Sequence, residues 1–223
     1  MRGLFVTGTD TEVGKSVLAA ALCAALSARG ERVAAFKPVV TGTDEPAGKF
    51  ARDHELLAAA AGGAQAPEQV APYRFGPPVS PHFAAELAGE PIEPARLVAL
   101  ARSLGESADV LVAEGVGGLL VPITTGYLVR DLARELALPL VVAARTGLGT
   151  INHTLLTVEA ARAVSLDVRG VVMTPWPAEP SPIERSNRAT VERLAAVPVS
   201  GLPRCDPGSL AAAGAALPLN DWL

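Results

Sequence analysis

The chain has 223 residues, enough for one sizeable core, and its 49% hydrophobic and 19% charged content excludes a disordered protein. A formal net charge of −4 gives no basic surface on which nucleic acid would bind. Two cysteines are too few for a disulfide framework, and neither a signal-like segment nor a transmembrane-length apolar run is present, so the expectation is a cytoplasmic protein with no membrane partner.

Short apolar runs at 3–7, 32–39, 109–114, 138–144, 168–173 and 197–200 read as strands. They alternate with helical patterns at roughly 16–29, 53–61, 94–105, 128–137, 150–164 and 182–195. Strands without polar alternation are buried on both faces, as in a parallel sheet. The alternation predicts an α/β class: a doubly wound, mostly parallel sheet in a single domain over residues 1–223. The proline-rich stretches 67–82 and 174–182 read as loops. In such sheets ligands sit beyond the carboxyl ends of the strands, so the residues after each strand are the candidates for chemistry.

After the first strand comes GTDTEVGKSV, a phosphate-loop signature with its first half altered: Gly8 is one residue too early, and Thr9 stands where the first loop glycine belongs. Backbone N–H groups at a helix start, the Lys15 ammonium and the Ser16 hydroxyl would meet phosphate and Mg²⁺. After the second strand comes KPVVTGTD. The chain has only three lysines, Lys15, Lys37 and Lys49, beside many arginines, and a compact ammonium at 15 and 37 is not equivalent to a guanidinium. Thr41 would either bind a polar substrate or build the turn. Asp53 would either cap its helix or stand near the metal. Glu114 ends a buried apolar strand, where a carboxylate is costly unless paired or metal-bound; the glycines of GVGG after it would admit close backbone approach. After the next strand, ARTGLGTINHT opens a helix whose free N–H groups suit a carboxylate.

FVTGTDTEVGKS, AFKPVVTG, YRFGPPVSPH, VAEGVGGLLVPI and GLGTINHTLLT, in this order and spacing, resemble the dethiobiotin synthetase family, whose fold is that of P-loop nucleoside triphosphate hydrolases. The resemblance runs from about residue 3 to 173 and more weakly to about 206. It implies an ATP- and Mg²⁺-dependent cyclo-ligase of biotin synthesis. Its substrates would be 7,8-diaminopelargonic acid and CO₂ or bicarbonate, joined through a carbamate and a carbamic–phosphoric anhydride. It also implies a homodimer. Carried over by position, Glu12, Val13, Gly14, Lys15, Ser16 and Val17 would wrap the nucleotide phosphates, with Gly115, Val116 and Gly117 beside them. Ser16, Asp53 and Glu114 would hold Mg²⁺. Lys37, with Lys15, would be catalytic. Thr41 and the turn Gly149, Thr150, Ile151 and Asn152 would contact the diamine, the turn by binding its carboxylate tail across the dimer interface. In the altered half of the loop, Thr11 and Glu12 are expected to face the cleft where the diamine sits, Glu12 orienting an amine.

Two departures bear on function. Family members that read adenine use an asparagine after the strand at 168–173; here Thr174 and Pro175 follow it. A threonine cannot form the paired contact of an amide with adenine, so relaxed base selectivity is expected, with the base held by stacking and by backbone near Pro203, Arg204 and Cys205. Asn187 is the second, expected to reach a partner's bound carboxylate. The alternative reading is a switch ATPase of the same broad fold, which positions cargo. Such proteins carry an extra lysine five residues before the loop lysine; that position is Asp10 here.

Overall fold

A computed structural model of the protein describes all residues except Ala47 and Lys49. In chain order the elements are β1 (Gly3–Gly8), α1 (Lys15–Ala28), β2 (Val33–Phe36), β3 (Val39–Val40), α2 (Asp53–Ala60), α3 (Pro67–Val70), β4 (Tyr73–Arg74), α4 (Pro81–Ala88) and α5 (Pro94–Ser107). There follow β5 (Val110–Gly118), β6 (Pro122–Thr124), β7 (Tyr127–Leu128), α6 (Val129–Leu136), β8 (Leu140–Ala144), α7 (Thr150–Arg162), β9 (Val168–Met173), α8 (Pro182–Ala195) and β10 (Val199–Gly201). A 3₁₀ turn (Pro207–Ser209), α9 (Leu210–Ala215) and α10 (Leu219–Trp222) complete the chain.

The main sheet has six strands in the order β10-β9-β8-β1-β5-β2, and every pair in it is parallel. Successive side chains alternate between its faces. Phe5, Leu111, Ala113, Val142 and Val171 pack beneath α4 to α8, whereas Leu4, Val6, Val112, Val141 and Val172 pack beneath α1, α2, α9 and α10. Both faces are covered, which is why the strand sequences carry no polar alternation. The chain leaves β1 toward β2, returns to β5 between them, and then grows outward on the β8 side. The crevice at the ends of β1 and β5 is therefore the topological switch point.

The sheet departs from expectation at residues 32–39. The run is two strands: β2 ends at Phe36, and β3 leaves to pair with β4. Lys37 and Pro38 lie at the break, where the proline has no N–H for a ladder and the Lys37 N–H donates to Val70 O at 2.9 Å. The stretch 67–82, read as a loop, carries α3, β4 and the start of α4. The β6–β7 hairpin, α9 and α10 have no counterpart in the sequence reading. Among the described residues no helix is long and apolar enough to cross a membrane.

Candidate active site

The chain turns from β1 into α1 through the altered phosphate loop. Gly14 has φ 84°, in the left-handed region, and caps α1 with no side-chain hydrogen bond, so the first N–H groups of the helix keep their positive character for a ligand. Gly8, the glycine that seems misplaced, has a different use. A Cβ there would lie 2.8 Å from Lys15 Cδ and from Val13 Cγ2. The Lys15 stem therefore runs over the last residue of β1, and only glycine leaves room. Lys15 Nζ donates to Asp10 O at 2.6 Å. Burial lowers the Lys15 pKa to about 8, although the carboxylate of Glu114 works the other way. Glu12 is exposed and holds φ 57°, a region that non-glycine residues enter at a cost of roughly 1–2 kcal/mol.

Three elements then bring Lys37, Asp53 and Glu114 together. The break after β2 delivers Lys37, the first turn of α2 delivers Asp53 and the middle of β5 delivers Glu114. Lys37 Nζ lies 2.6 Å from Asp53 Oδ2 and 2.6 Å from Glu114 Oε1, and 3.5 Å from Ser16 Oγ. The Ser16 hydroxyl donates to the same Glu114 Oε1 at 2.8 Å. Glu114 is fully buried and Lys37 nearly so. Burial alone would drive the Lys37 pKa down, but the two carboxylates hold it well above its ordinary value, so the amine stays an ammonium. Against its own burial, Asp53 is pulled below the ordinary carboxylate range by Lys37. Burial holds the Glu114 carboxyl above that range. Asp53 is not the helix cap, one of the two readings its sequence position allowed: Arg52 occupies that position, and its N–H donates to Glu55 Oε2 at 3.1 Å.

These groups line a cleft of about 370 Å³ with Thr11, Glu12, Gly14, Val17, Thr41, Val116 and Gly117. It adjoins a second cleft of about 630 Å³ walled by Thr11, Glu12, Thr41, Gly42, Pro78 and Ser80. A divalent cation fits this donor set: Ser16 offers a hydroxyl, Asp53 a carboxylate, and Glu114 Oε2 is a buried acceptor with no hydrogen-bond partner. Val13 and Gly115 also serve the packing around the loop. Val13 is core, and a Cβ on Gly115 would lie 2.8 Å from Val129 Cγ1, so that glycine serves the packing of α6.

The turn before α7 lies apart from this cleft. None of Gly149, Thr150, Ile151 and Asn152 lines it. Thr150 is buried, and its hydroxyl donates to Arg145 O at 2.6 Å, so it is not a free donor to a ligand. Asn187 on α8 is also buried, and its Nδ2 donates to Thr146 O at 3.0 Å and Gly147 O at 3.1 Å. Its amide N–H groups are spent on this turn, which corrects the expectation that Asn187 reaches a partner's ligand. Arg145, which the sequence reading passed over, donates to Asp10 Oδ2 at 3.3 Å and Thr11 O at 3.2 Å. It directly follows β8, a position where the strand-end rule would have flagged it. At the far end, Thr174 is buried, and a Cβ on Gly14 would meet Thr174 Cγ2 at 2.7 Å. The segment 174–176 is tied to 202–205: Trp176 N donates to Leu202 O at 2.7 Å. Beyond that bond Pro203 and Arg204 are exposed and Cys205 is buried, its thiol donating to Pro203 O at 3.2 Å.

The family described as an AAA domain matches residues 2–203. The ATP-dependent dethiobiotin synthetase BioD of Anaeromyxobacter dehalogenans (strain 2CP-C) is 44% identical over 196 residues, which are 87% of this chain and 86% of that protein. The enzyme of the same name from Rhodococcus erythropolis (strain PR4 / NBRC 100887) is 41% identical over 92% of this chain and 88% of its own. That of Bacillus subtilis (strain 168) is 35% identical over 91% and 87%. Among solved structures, a ParA family ATPase from Chlorobium tepidum TLS superposes with a TM-score of 0.55 at 13% identity, covering 98% of this chain and 92% of that one. The Pyrococcus furiosus cell division ATPase MinD gives a TM-score of 0.55 at 18% identity, covering 96% and 88%. At such identities these structures share the fold alone, whereas the sequence relatives align over most of both chains and carry one name. The chain belongs to the ATP-dependent dethiobiotin synthetase family.

Proposed function

We propose that the protein is a cytoplasmic cyclo-ligase that carboxylates 7,8-diaminopelargonic acid and closes it to dethiobiotin at the expense of a nucleoside triphosphate. The observation that carries this reading is the buried Lys37 ammonium, fixed beside Ser16, Asp53 and Glu114 within one cleft of the phosphate loop. One amine of the substrate adds to CO₂ and loses a proton, giving a carbamate. A carbamate oxygen attacks the γ-phosphorus and the nucleoside diphosphate leaves. The second amine then attacks the carbamoyl carbon, closing the ring and expelling phosphate.

In these steps Lys37 supplies positive charge to the carbamate and to the transferred phosphoryl group, and Lys15 with the α1 N–H groups holds the phosphates. Ser16, Asp53 and Glu114 would hold Mg²⁺, which when bound neutralises charge on the β- and γ-phosphate oxygens. Thr11, Glu12 and Thr41 stand where the two clefts meet, the place for a diamine beside the γ-phosphate. The Gly149–Asn152 turn serves the carboxylate tail from a second copy of the chain. A groove of about 560 Å³ between Asp10–Thr11 and the Leu156 face of α7, with Leu120 and Leu156 exposed in its lining, supports that dimer. The buried contact of Thr174 with Gly14 supports relaxed base selectivity, because that side chain lies on the loop and is not presented to a base.

Phosphate release tests the reaction. It should require both the diamine and bicarbonate, and should proceed at comparable rates with ATP, GTP and CTP. Phosphate formed without the diamine overturns the ligase reading, and a strict preference for ATP overturns the base reading.

A further inference from the structure

Arg145 belongs to no part of the chemistry above, yet it grips the altered half of the phosphate loop. Its guanidinium donates to the Asp10 carboxylate and to the Thr11 carbonyl. The main chain on either side is fixed as well: Thr9 N donates to Ala143 O at 3.0 Å, and Arg145 O accepts from the buried Thr150 hydroxyl. Asp10 is thus held from two sides, its carboxylate by Arg145 and its carbonyl by Lys15 Nζ. Asp10 Oδ1 also accepts from Thr11 N at 2.7 Å, closing a small ring over the turn.

The orientation of one peptide plane follows. The only cis bond among the described residues is Thr174–Pro175, so the Thr11–Glu12 peptide is trans and its N–H points opposite to its carbonyl. With the Thr11 carbonyl turned to Arg145, the Glu12 N–H points away from the guanidinium, and Thr11 and Glu12 both line the cleft of Lys15, Ser16 and Lys37. A standard phosphate loop obtains inward N–H groups from glycine at its first position. Here Thr9 replaces that glycine, and Glu12 is held at positive φ without being one.

We propose that Arg145 is a positioning residue for triphosphate binding: by holding Asp10 and Thr11 from outside, it presets the loop N–H groups toward the phosphates and does the work that the missing glycine does elsewhere. It touches no reacting atom. When Lys15 leaves the Asp10 carbonyl for a phosphate, Arg145 remains to keep Asp10 in place.

The proposal deepens the nucleotide-binding part of the function above and is tested without the diamine, so that it stands or falls separately. Displacement of a fluorescent ATP analogue by Mg-ATP gives Kd for the full-length protein. R145A should raise Kd about fivefold, the scale expected for one half-exposed ion pair with a carbonyl bond, while R145K stays within about twofold of the parent. The gap between R145A and the parent should narrow from about 50 mM to about 500 mM salt, because an exposed pair is screened. Thermal unfolding of R145A should match the parent. An unchanged Kd in R145A, an R145K as weak as R145A, or a gap indifferent to salt overturns the proposal.

Discussion

Lys37 is held by two carboxylates, and removing it leaves Glu114 buried without its paired ammonium, with the attraction of Lys15 still acting on it. In K37Q we expect turnover to fall by about a thousandfold, the scale of losing one preorganised charge at a transition state. Binding of Mg-ATP should change by less than about fivefold, because Lys15 and the helix N–H groups are untouched. Single-turnover phosphate release beside Kd separates the two, and a K37Q protein that loses nucleotide binding as severely as turnover would assign Lys37 to the phosphates. Lys37 and Glu114 stood out in the sequence because each ends or follows an apolar strand, where a polar group must have a reason, and Lys15 and Ser16 because the GKS pattern opens a helix after the first strand. Gly8 and Arg145 had no role assigned, and Asn187 was given a different one. What they do depends on which distant chain segment passes them, and spacing along the sequence carries no record of that.

At the scale of elements, the strands and long helices of the doubly wound frame were legible from apolar runs and their alternation. The break at Lys37–Pro38 was not, since an unbroken apolar run hides a change of partner strand. The two terminal helices escaped notice because α9 is an alanine-rich stretch with no polar face to give it a period, and α10 is a single turn of four residues. Yet α9 is among the closest-packed elements. It lies directly on α1, and a Cβ added at Gly214 would collide with the Ala21 carbonyl. G214A should therefore cost about 2–3 kcal/mol, from overpacking against a backbone that cannot yield. In a chain of this length that lowers Tm by roughly 5–10 °C. G208A, where nothing lies within 4 Å of the new methyl, is the control and should melt with the parent. Equal melting of both variants would mean that α9 is not fixed on α1.

For the whole molecule, the ligand groups divide into a set inside the Lys37 cleft and a set at the start of α7 outside it. A dimer joins them. Sedimentation equilibrium should return twice the chain mass, and L156E, which puts a charge on the exposed leucine face, should shift the protein toward monomer. The diamine's KM should rise in that variant far more than the Kd of Mg-ATP. A monomeric parent with full activity would remove the second copy from the site. Within one chain, the close approach of Gly14 and Thr174 links the loop after β1 to the end of β9, and in the proposed reading it would join the phosphate end of the nucleotide site to the base end. Recognition of the base is thus not a separable module that can be exchanged at will. Restoring an amide at 174 would press a larger side chain on the glycine that opens α1, so a gain in reading adenine would come with weaker grip on the phosphates of every nucleotide.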